Sequence, residues 1–466
     1  MRRPRLLVPA LAALALAAPS CGGSLLDHAA SPELLAPSSC AAGQVACLDA
    51  CVPEDASHCG SACSDCLADA LTDPNEAPVC SPSHACAFAC QPGFLRSGTT
   101  CARVSAVSAG FAHTCALLAN GEVKCWGAND HGQLGDGTGA DSAVPVDVAL
   151  PAPATALAAG YVHSCAVAGG AVYCWGDNTT GELGDGTTTS RLTPVEVEGL
   201  AGATAITGGG GEDAGTVATF YGHSCALTPL GLACWGSNDS GQLGDGTFIE
   251  RTSPVMTAGL PAVPVAVAAG DRHTCAVAGG GVWCFGSNGA GQLGNGATTD
   301  APVPQLAVGA GALAVGAGAA HSCAVVAGVG GTGVLCWGLN AEGQVNGGNP
   351  SPASVLTPVS PTLAAGVHPA AVVGGRAHTC VLVPGVANGV TCFGANDASQ
   401  LTGAATPRGF VSVSLPAAQT LAAGYEHTCA LLADGGLECW GIDDRGELGS
   451  GSAGTPQTSP VYVSGR

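Results

Sequence analysis

Seven times after residue 104 the chain repeats one signature: Gly-x-x-His-[Thr/Ser]-Cys (with an insertion after the Gly in the third repeat), a short turn, then Cys-[Trp/Phe]-Gly, then variants of Asn-x-x-Gly-Gln-Leu-Gly-Asp-Gly-Thr and a Pro-Val pair that only the sixth repeat lacks. The histidines are His113, His163, His223, His273, His321, His378 and His427, about 50 residues apart, the length of one supersecondary unit. Each repeat reads as strands. Residues 145–150 alternate, 154–160 form a short apolar run, and 163–167 and 172–176 flank Gly169-Gly170. Paired glycines supply the positive φ of a two-residue hairpin turn. Four short strands per period signal a propeller blade, so residues 102–466 are expected to form an all-β, seven-bladed β-propeller. The first repeat has no Pro-Val strand before Val104, while the last ends with a spare one, Pro460-Val461-Tyr462-Val463. In this reading that C-terminal strand joins the first blade and closes the ring, removing both sheet edges.

Composition excludes several classes. With 72 glycines, 30 prolines and 10% charged residues, the chain lacks the residues of helical bundles and coiled coils. At 47% hydrophobic it has too much apolar surface to stay disordered. The net charge is −21, and Lys124 is the sole lysine. Without clustered cations to displace counterions from phosphates, nucleic acid is excluded as a partner. Cys125 follows Lys124, so no phosphate-cradling Gly-Lys-Ser/Thr loop exists there. No cofactor is implied.

The first residues read as an export signal. A basic start precedes an apolar run at 6–18, too short to span a membrane. Residues 1–20 are therefore assigned as a signal peptide. The run Ala18-Pro19-Ser20-Cys21-Gly22-Gly23 resembles a bacterial lipoprotein signal, which implies lipidation of Cys21 and membrane contact only through that anchor. Residues 21–39 then form a tether. The expected location is the outer membrane, cell surface or medium.

Of 25 cysteines, those at 40–101 form a cysteine-rich module and those beyond fall in seven regular pairs. Cys21 is the odd one, as a lipidated residue would be. An oxidising compartment favours disulfides. Zinc bound by Cys59, Cys63 and Cys66 is the rival reading, weakened because zinc sites show two spaced pairs. The end of the module, 86–101, resembles the tail of an epidermal-growth-factor-like domain. In the repeats, a Gly169-Gly170 turn sets Cys165 opposite Cys174 in a non-hydrogen-bonded pair, with Cα atoms about 4.5 Å apart, within disulfide reach. Cys225–Cys234 and Cys275–Cys284 follow the same arithmetic. Cys115–Cys125, Cys323–Cys336, Cys380–Cys392 and Cys429–Cys439 align if extra residues stay in the turn. One bridge per blade is expected.

Gly110-x-x-His113, Cys125-Trp126-Gly127-x-Asn129 and Gly132-Gln133-Leu134-Gly135-Asp136-Gly137, with their counterparts, resemble the regulator-of-chromosome-condensation repeat family. The resemblance implies a seven-bladed propeller that acts by binding. Repeats five to seven drift at 343–348, 398–403 and 446–451, and Asp443 stands where Asn is expected. A weaker resemblance, Ser237-x-Asp239-x-Gly241, is to the sialidase Asp-box, although Leu243 replaces its Thr.

A residue present in all seven repeats serves something every blade needs. Each histidine is expected to satisfy backbone groups at its blade end, not to bind metal. The Asn and Asp of the Gly-rich loop are expected to fix that loop, and Trp126, Trp175, Trp235, Phe285, Trp337, Phe393 and Trp440 to pack between blades. Arg191, Arg251, Arg272 and Arg376 fall in different blades and are the candidate carboxylate clamp. No catalytic residue or metal is assigned, and the chain is read as a non-enzyme. The expected partner is an extracellular or envelope protein bound through one face; the alternative is a glycan bound or cleaved by an Asp-box-like propeller. The third repeat carries an insertion at 210–221, placed on the face of the Gly-Gln-Leu-Gly-Asp-Gly loops. Glu212, Asp213, Phe220 and Tyr221 give it the character of a recognition loop.

Overall fold

The computed structural model describes residues 44–47, 50–53, 75–80, 86–91 and 93–464, apart from 214–218, 329–330, 362, 364–366 and 404–408. The signal segment, Cys21, the tether, Cys59, Cys63 and Cys66 lie outside the described residues. The chain divides into residues 1–89 and 90–466. In the N-terminal part Gln44–Cys47 pairs antiparallel with Ala50–Pro53, and Glu76–Cys80 forms a second two-stranded sheet with Cys86–Cys90.

The second unit is a seven-bladed propeller, and no helix occurs among the described residues. Each blade is one antiparallel sheet built from consecutive strands. In the second blade these are Ala154–Ala159, His163–Ala168, Ala171–Gly176 and Arg191–Ala201. The Ala-Gly strand is innermost and the Pro-Val strand outermost. This frame differs by one strand from the sequence reading. The Cys-Trp-Gly strand pairs with the Pro-Val strand that follows it, Cys174 opposite Val195. In the seventh blade, accordingly, Gln457–Tyr462 pairs with Leu437–Gly441. The C-terminal strand thus completes the seventh blade and not the first, which takes Ser142–Val148 from its own repeat. The physical reason is local: the Gly-rich loop returns the chain onto the same sheet.

Other elements close the ring. Phe94–Ser97 pairs with the start of Thr100–Ala109, so the first sheet has five strands. Cys90 and Cys101, joined by a disulfide, lie in the propeller unit, which begins at Cys90. Leu95, Val104, Trp126, Leu431, Leu437 and Leu448 pack as one core between the seventh and first blades. The Arg103 guanidinium donates to the Ala433 carbonyl at 3.0 Å, and Gly451 N–H to that of Ala143 at 2.9 Å.

Innermost strands converge on the channel, where neighbouring backbones come close enough that glycine is required at some positions. A Cβ on Gly316 would lie 2.4 Å from the Val372 carbonyl oxygen. Apolar side chains of the outer strands meet between blades, where Trp126, Trp175, Trp235, Phe285, Trp337, Phe393 and Trp440 are fully buried. Each packs against the preceding blade. Gly135 meets Trp175 so closely that a Cβ would lie 2.7 Å from Nε1, and its φ is +70°.

Candidate functional site

Below the channel mouth the histidines form a belt. Each Nε2 bonds the hydroxyl of the next blade's Ser or Thr at 2.8 to 3.0 Å: His113 to Ser164, His163 to Ser224, His223 to Thr274, His273 to Ser322, His321 to Thr379, His378 to Thr428 and His427 to Thr114. Each hydroxyl donates its one proton to a main-chain carbonyl of the preceding blade, as Ser164 does to Gln133 at 2.9 Å. The hydroxyl must then accept from the imidazole, so Nε2 carries the proton and the ring is neutral. Burial pushes His113, His223, His273 and His378 down to about 3, and His163, His321 and His427 to about 4. Partners are thus neighbouring-blade hydroxyls, not the backbone groups expected from sequence. These histidines are structural.

The loop asparagines act within their own blade. Asn129 Nδ2 donates to Asp136 Oδ1 and to the Thr138 and Ala140 carbonyls, while Oδ1 accepts from Leu134 N–H at 2.9 Å. Trp175 Nε1 adds a bond to the Gln133 carbonyl at 2.9 Å. With both rows of residues occupied by the scaffold, chemistry must come from positions where the repeats differ.

Such positions ring the channel mouth. At the mouth stand Phe111, Tyr161, Gly210, Asp271, Ala319, Arg376 and Tyr425, each two residues before its histidine except Gly210, which the insertion separates from His223 so that Tyr221 stands outside this lining. Neighbouring loops bond through their backbones, as Arg376 N–H to Tyr425 O at 3.0 Å and Tyr425 N–H to Gly110 O at 3.1 Å, so the side chains project from a fixed ring. Phe111 stacks on Tyr161 with centroids 4.4 Å apart and meets Tyr425 edge-on at 4.8 Å. Arg272 lies 3.8 Å over the Tyr221 ring, and Arg376 5.2 Å from that of Tyr425. Crowding pushes the Asp271 carboxyl up to about 7, while Arg272 and Arg376 pull it down. Burial raises the Tyr161 phenol. A pocket of about 100 Å³ sits at the mouth. A groove of about 900 Å³ runs outward between the fifth and sixth blades, sharing Asp271, Ala319, Arg376 and Tyr425 with the mouth.

The insertion lies at this mouth. Ala205–Asp213 and Thr219–Thr228 extend as a hairpin, Glu212 opposite Phe220. Phe220 meets His131 at 4.9 Å and Tyr161 at 6.0 Å. Tyr221 is buried and Glu212 exposed; the Asp213 side chain is outside the described residues. The four arginines do not converge. Arg191 and Arg251 hold Asp185 and Asp245 of their own loops, Arg272 holds Asp239, and Arg376 holds Glu426. Asp239, the Asp-box candidate, is taken by Arg272 and Gln242. The seven repeat cysteine pairs are directly opposed cross-strand disulfides with Cα atoms 4.1 Å apart. Of the mouth residues, sequence reasoning singled out Arg376 alone, as part of a carboxylate clamp, and passed over the rest. Their signal was disagreement: two places before a constant histidine, seven repeats supply five residue types.

The regulator of chromosome condensation (RCC1) repeat profiles match residues 104–133, 265–292 and 419–447 in one form and 120–167, 169–211, 234–277 and 279–325 in another. The fold is similar to human WBSCR16, at 21% identity and TM-score 0.62 over 73% of this chain and 93% of that one. It is similar to Prp20p from Saccharomyces cerevisiae, a protein with binding properties to Gsp1p and histones, at 20% identity and TM-score 0.61 over 78% and 87%. A third similar structure is Kap60 bound to yeast RCC1 (Prp20), at 19% identity and TM-score 0.61 over 77% and 84%.

Proposed function

The chain belongs to the regulator-of-chromosome-condensation repeat family, and on that premise we propose that it is an exported, lipid-anchored, non-catalytic propeller that binds a protein through the face bearing the channel mouth. One observation carries this reading. Scaffold positions repeat sevenfold, whereas the mouth carries Phe111, Tyr161, Gly210, Asp271, Ala319, Arg376 and Tyr425 without symmetry. Aromatic residues and arginine are the types that dominate binding energy at protein interfaces. Phe248 and Ile249, on a Gly-rich loop of the same face, are 52% and 60% exposed and extend the surface with apolar area. Prp20p has binding properties toward proteins, which supports the same use of the fold here.

A glycan reading draws on the tyrosines and arginines at the mouth. Against it, Arg272 and Arg376 are held by Asp239 and Glu426 and leave no open clamp for a sugar carboxylate. Export and anchoring rest on the signal segment and Cys21. The test uses the mature chain, immobilised and exposed to envelope and medium extracts of the source cells, with a glycan array in parallel. Expected is a protein retained by wild type and lost with Tyr161→Ala/Tyr425→Ala. Equal retention by that variant, or binding only to the array, would contradict the reading. Cys21→Ser is expected to move the protein from membranes to the soluble fraction.

A further inference from the structure

Gln344 begins the case. It is 0% exposed, and its Nε2 has no hydrogen-bond partner. In two other blades the counterpart is satisfied: Gln242 Nε2 donates to Ser237 Oγ and Asp239 Oδ1, both at 3.2 Å, and Gln400 Nε2 to Asp397 Oδ1 at 3.0 Å. The fifth blade has Leu339 and Ala341 where the third has Ser237 and Asp239. Both replacements line the groove between the fifth and sixth blades, as does Gln344 itself. They remove the internal acceptors from a buried donor, which is destabilising unless something else accepts from it.

A second unpaired group lies in the adjoining mouth pocket. Tyr161 is 4% exposed, lines the mouth pocket, and its hydroxyl lacks a partner. Asp271 borders both pocket and groove, and among the described residues no hydrogen bond reaches its carboxylate. Glu342 and Asp397 line the groove farther out. Arg376, the groove's cation, is bonded to Glu426 at 2.8 Å. By residue type the lining holds three acids, Asp271, Glu342 and Asp397, against one cation, with the Tyr425 ring among them.

We propose that this groove seats an extended basic peptide segment of the protein partner, a lysine or arginine side chain lying against Asp271 and a main-chain carbonyl accepting from Gln344 Nε2. The proposal rests on the protein-binding reading and names the chemistry recognised. A peptide supplies what the lining lacks: a carbonyl acceptor for the amide, a cation for the carboxylate, and an aliphatic stem for the tyrosine ring. A neutral sugar chain supplies acceptors but no cation. The crowded Asp271 carboxyl, high for an aspartate, would be drawn down by the incoming charge.

The test is calorimetric titration of the mature protein with acetylated hexalysine at about 0.15 M salt, where exposed charges are screened. Hexaglutamate and chitohexaose serve as comparators. Hexalysine is expected to bind and hexaglutamate not. Asp271→Asn should weaken hexalysine at least about tenfold, and Gln344→Leu severalfold, while Glu122→Gln at an exposed hairpin should change nothing. Circular dichroism checks that each variant folds; if Asp271→Asn does not, Gln344→Leu decides. Equal weakening by Glu122→Gln, indifference to both groove substitutions, or binding of chitohexaose in place of hexalysine would overturn the proposal. A partner captured through the mouth while hexalysine ignores the groove removes this inference and leaves the protein-binding reading standing.

Discussion

His427 Nε2 lies 2.8 Å from Thr114 Oγ1, across 313 residues of sequence, and the bond joins the last blade to the first. The same hydroxyl donates to the Glu447 carbonyl at 2.9 Å, which also accepts Trp126 Nε1–H at 2.8 Å. The ring is closed by the contact every other pair of blades uses, so no shared strand is needed. Thr114→Val leaves the buried His427 Nε2–H without a partner, while the Glu447 carbonyl keeps Trp126 Nε1–H, a loss of about 1–3 kcal/mol. Thr114→Ser should stay near wild type. Urea unfolding checks both, and equal stability of Thr114→Val and wild type would show that the bond contributes nothing to closure.

The buried histidines set the acid limit of stability. Their native pKa values of about 3 to 4 lie below the unfolded value of about 6.5. Between those limits the unfolded chain binds more protons, so stability is complete above about pH 6.5 and falls as pH drops, by about 1.4 kcal/mol per unit for each histidine. Four carboxyls act oppositely. Burial raises Glu182 to about 8, Glu447 and Asp271 to about 7 and Asp443 to about 6. Their contribution is greatest below the ordinary carboxylate range and is lost as pH rises through those values. Seven histidines outweigh four carboxyls in acid, and only the carboxyls titrate above neutrality. Thermal unfolding from pH 4.5 to 8.5 should therefore give a maximum Tm near pH 7, where the two sets balance; a Tm still rising at pH 8 contradicts this balance.

Restoring the repeat at its drifted positions should stabilise the ring. Glu182 stands where five other blades have Gln, and its Oε1 is buried without a partner. Glu182→Gln places an amide beside Asp177, as Gln242 lies beside Ser237. Asp443 accepts Leu448 N–H but, ionised, cannot donate to its loop as Asn129 does. Each of Glu182→Gln and Asp443→Asn should add about 1 kcal/mol at pH 8 and less at pH 5, where the acids hold protons. Denaturant titrations at both pH values decide it.

The blade register was legible because a two-glycine turn fixes which residues oppose. Cys165 faces Cys174 as counting outward from Gly169-Gly170 requires. The blade frame was not legible from spacing, since a Pro-Val strand lies between two Ala-Gly strands and only the loop bonds of Asn129 and its counterparts assign it. The mouth ring was hidden for another reason. Asp271 and Arg376 are polar residues in loops and gain meaning only when the histidine belt brings loops about 50 residues apart into one circle. Gln344 looked like its satisfied counterparts until Leu339 and Ala341 were seen beside it.

Non-reducing peptide maps should show seven linked pairs, Cys115–Cys125 through Cys429–Cys439. The bridges close short loops, so replacing Cys165 and Cys174 together by Ala should cost at most about 3 kcal/mol. Free thiols or cross-blade links would refute the pairing.

Deleting residues 210–220 removes a hairpin whose Phe220 touches His131 and Tyr161 at the mouth but takes nothing from the histidine belt. Tm should change little, while affinity for the captured partner falls. A large loss of Tm would make the hairpin structural, and unchanged affinity would remove it from the interface.

Hydrogen exchange on the complex tests the proposed face most directly. With the captured partner bound, amides at 110–112, 160–162, 219–222, 270–272, 375–377 and 424–426 should gain protection together, with 341–344 if the groove is filled. Protection confined to the outer strands, such as Arg251–Met256 and Ala301–Val308, or to hairpins of the opposite face, would place the partner elsewhere and contradict a channel-mouth interface.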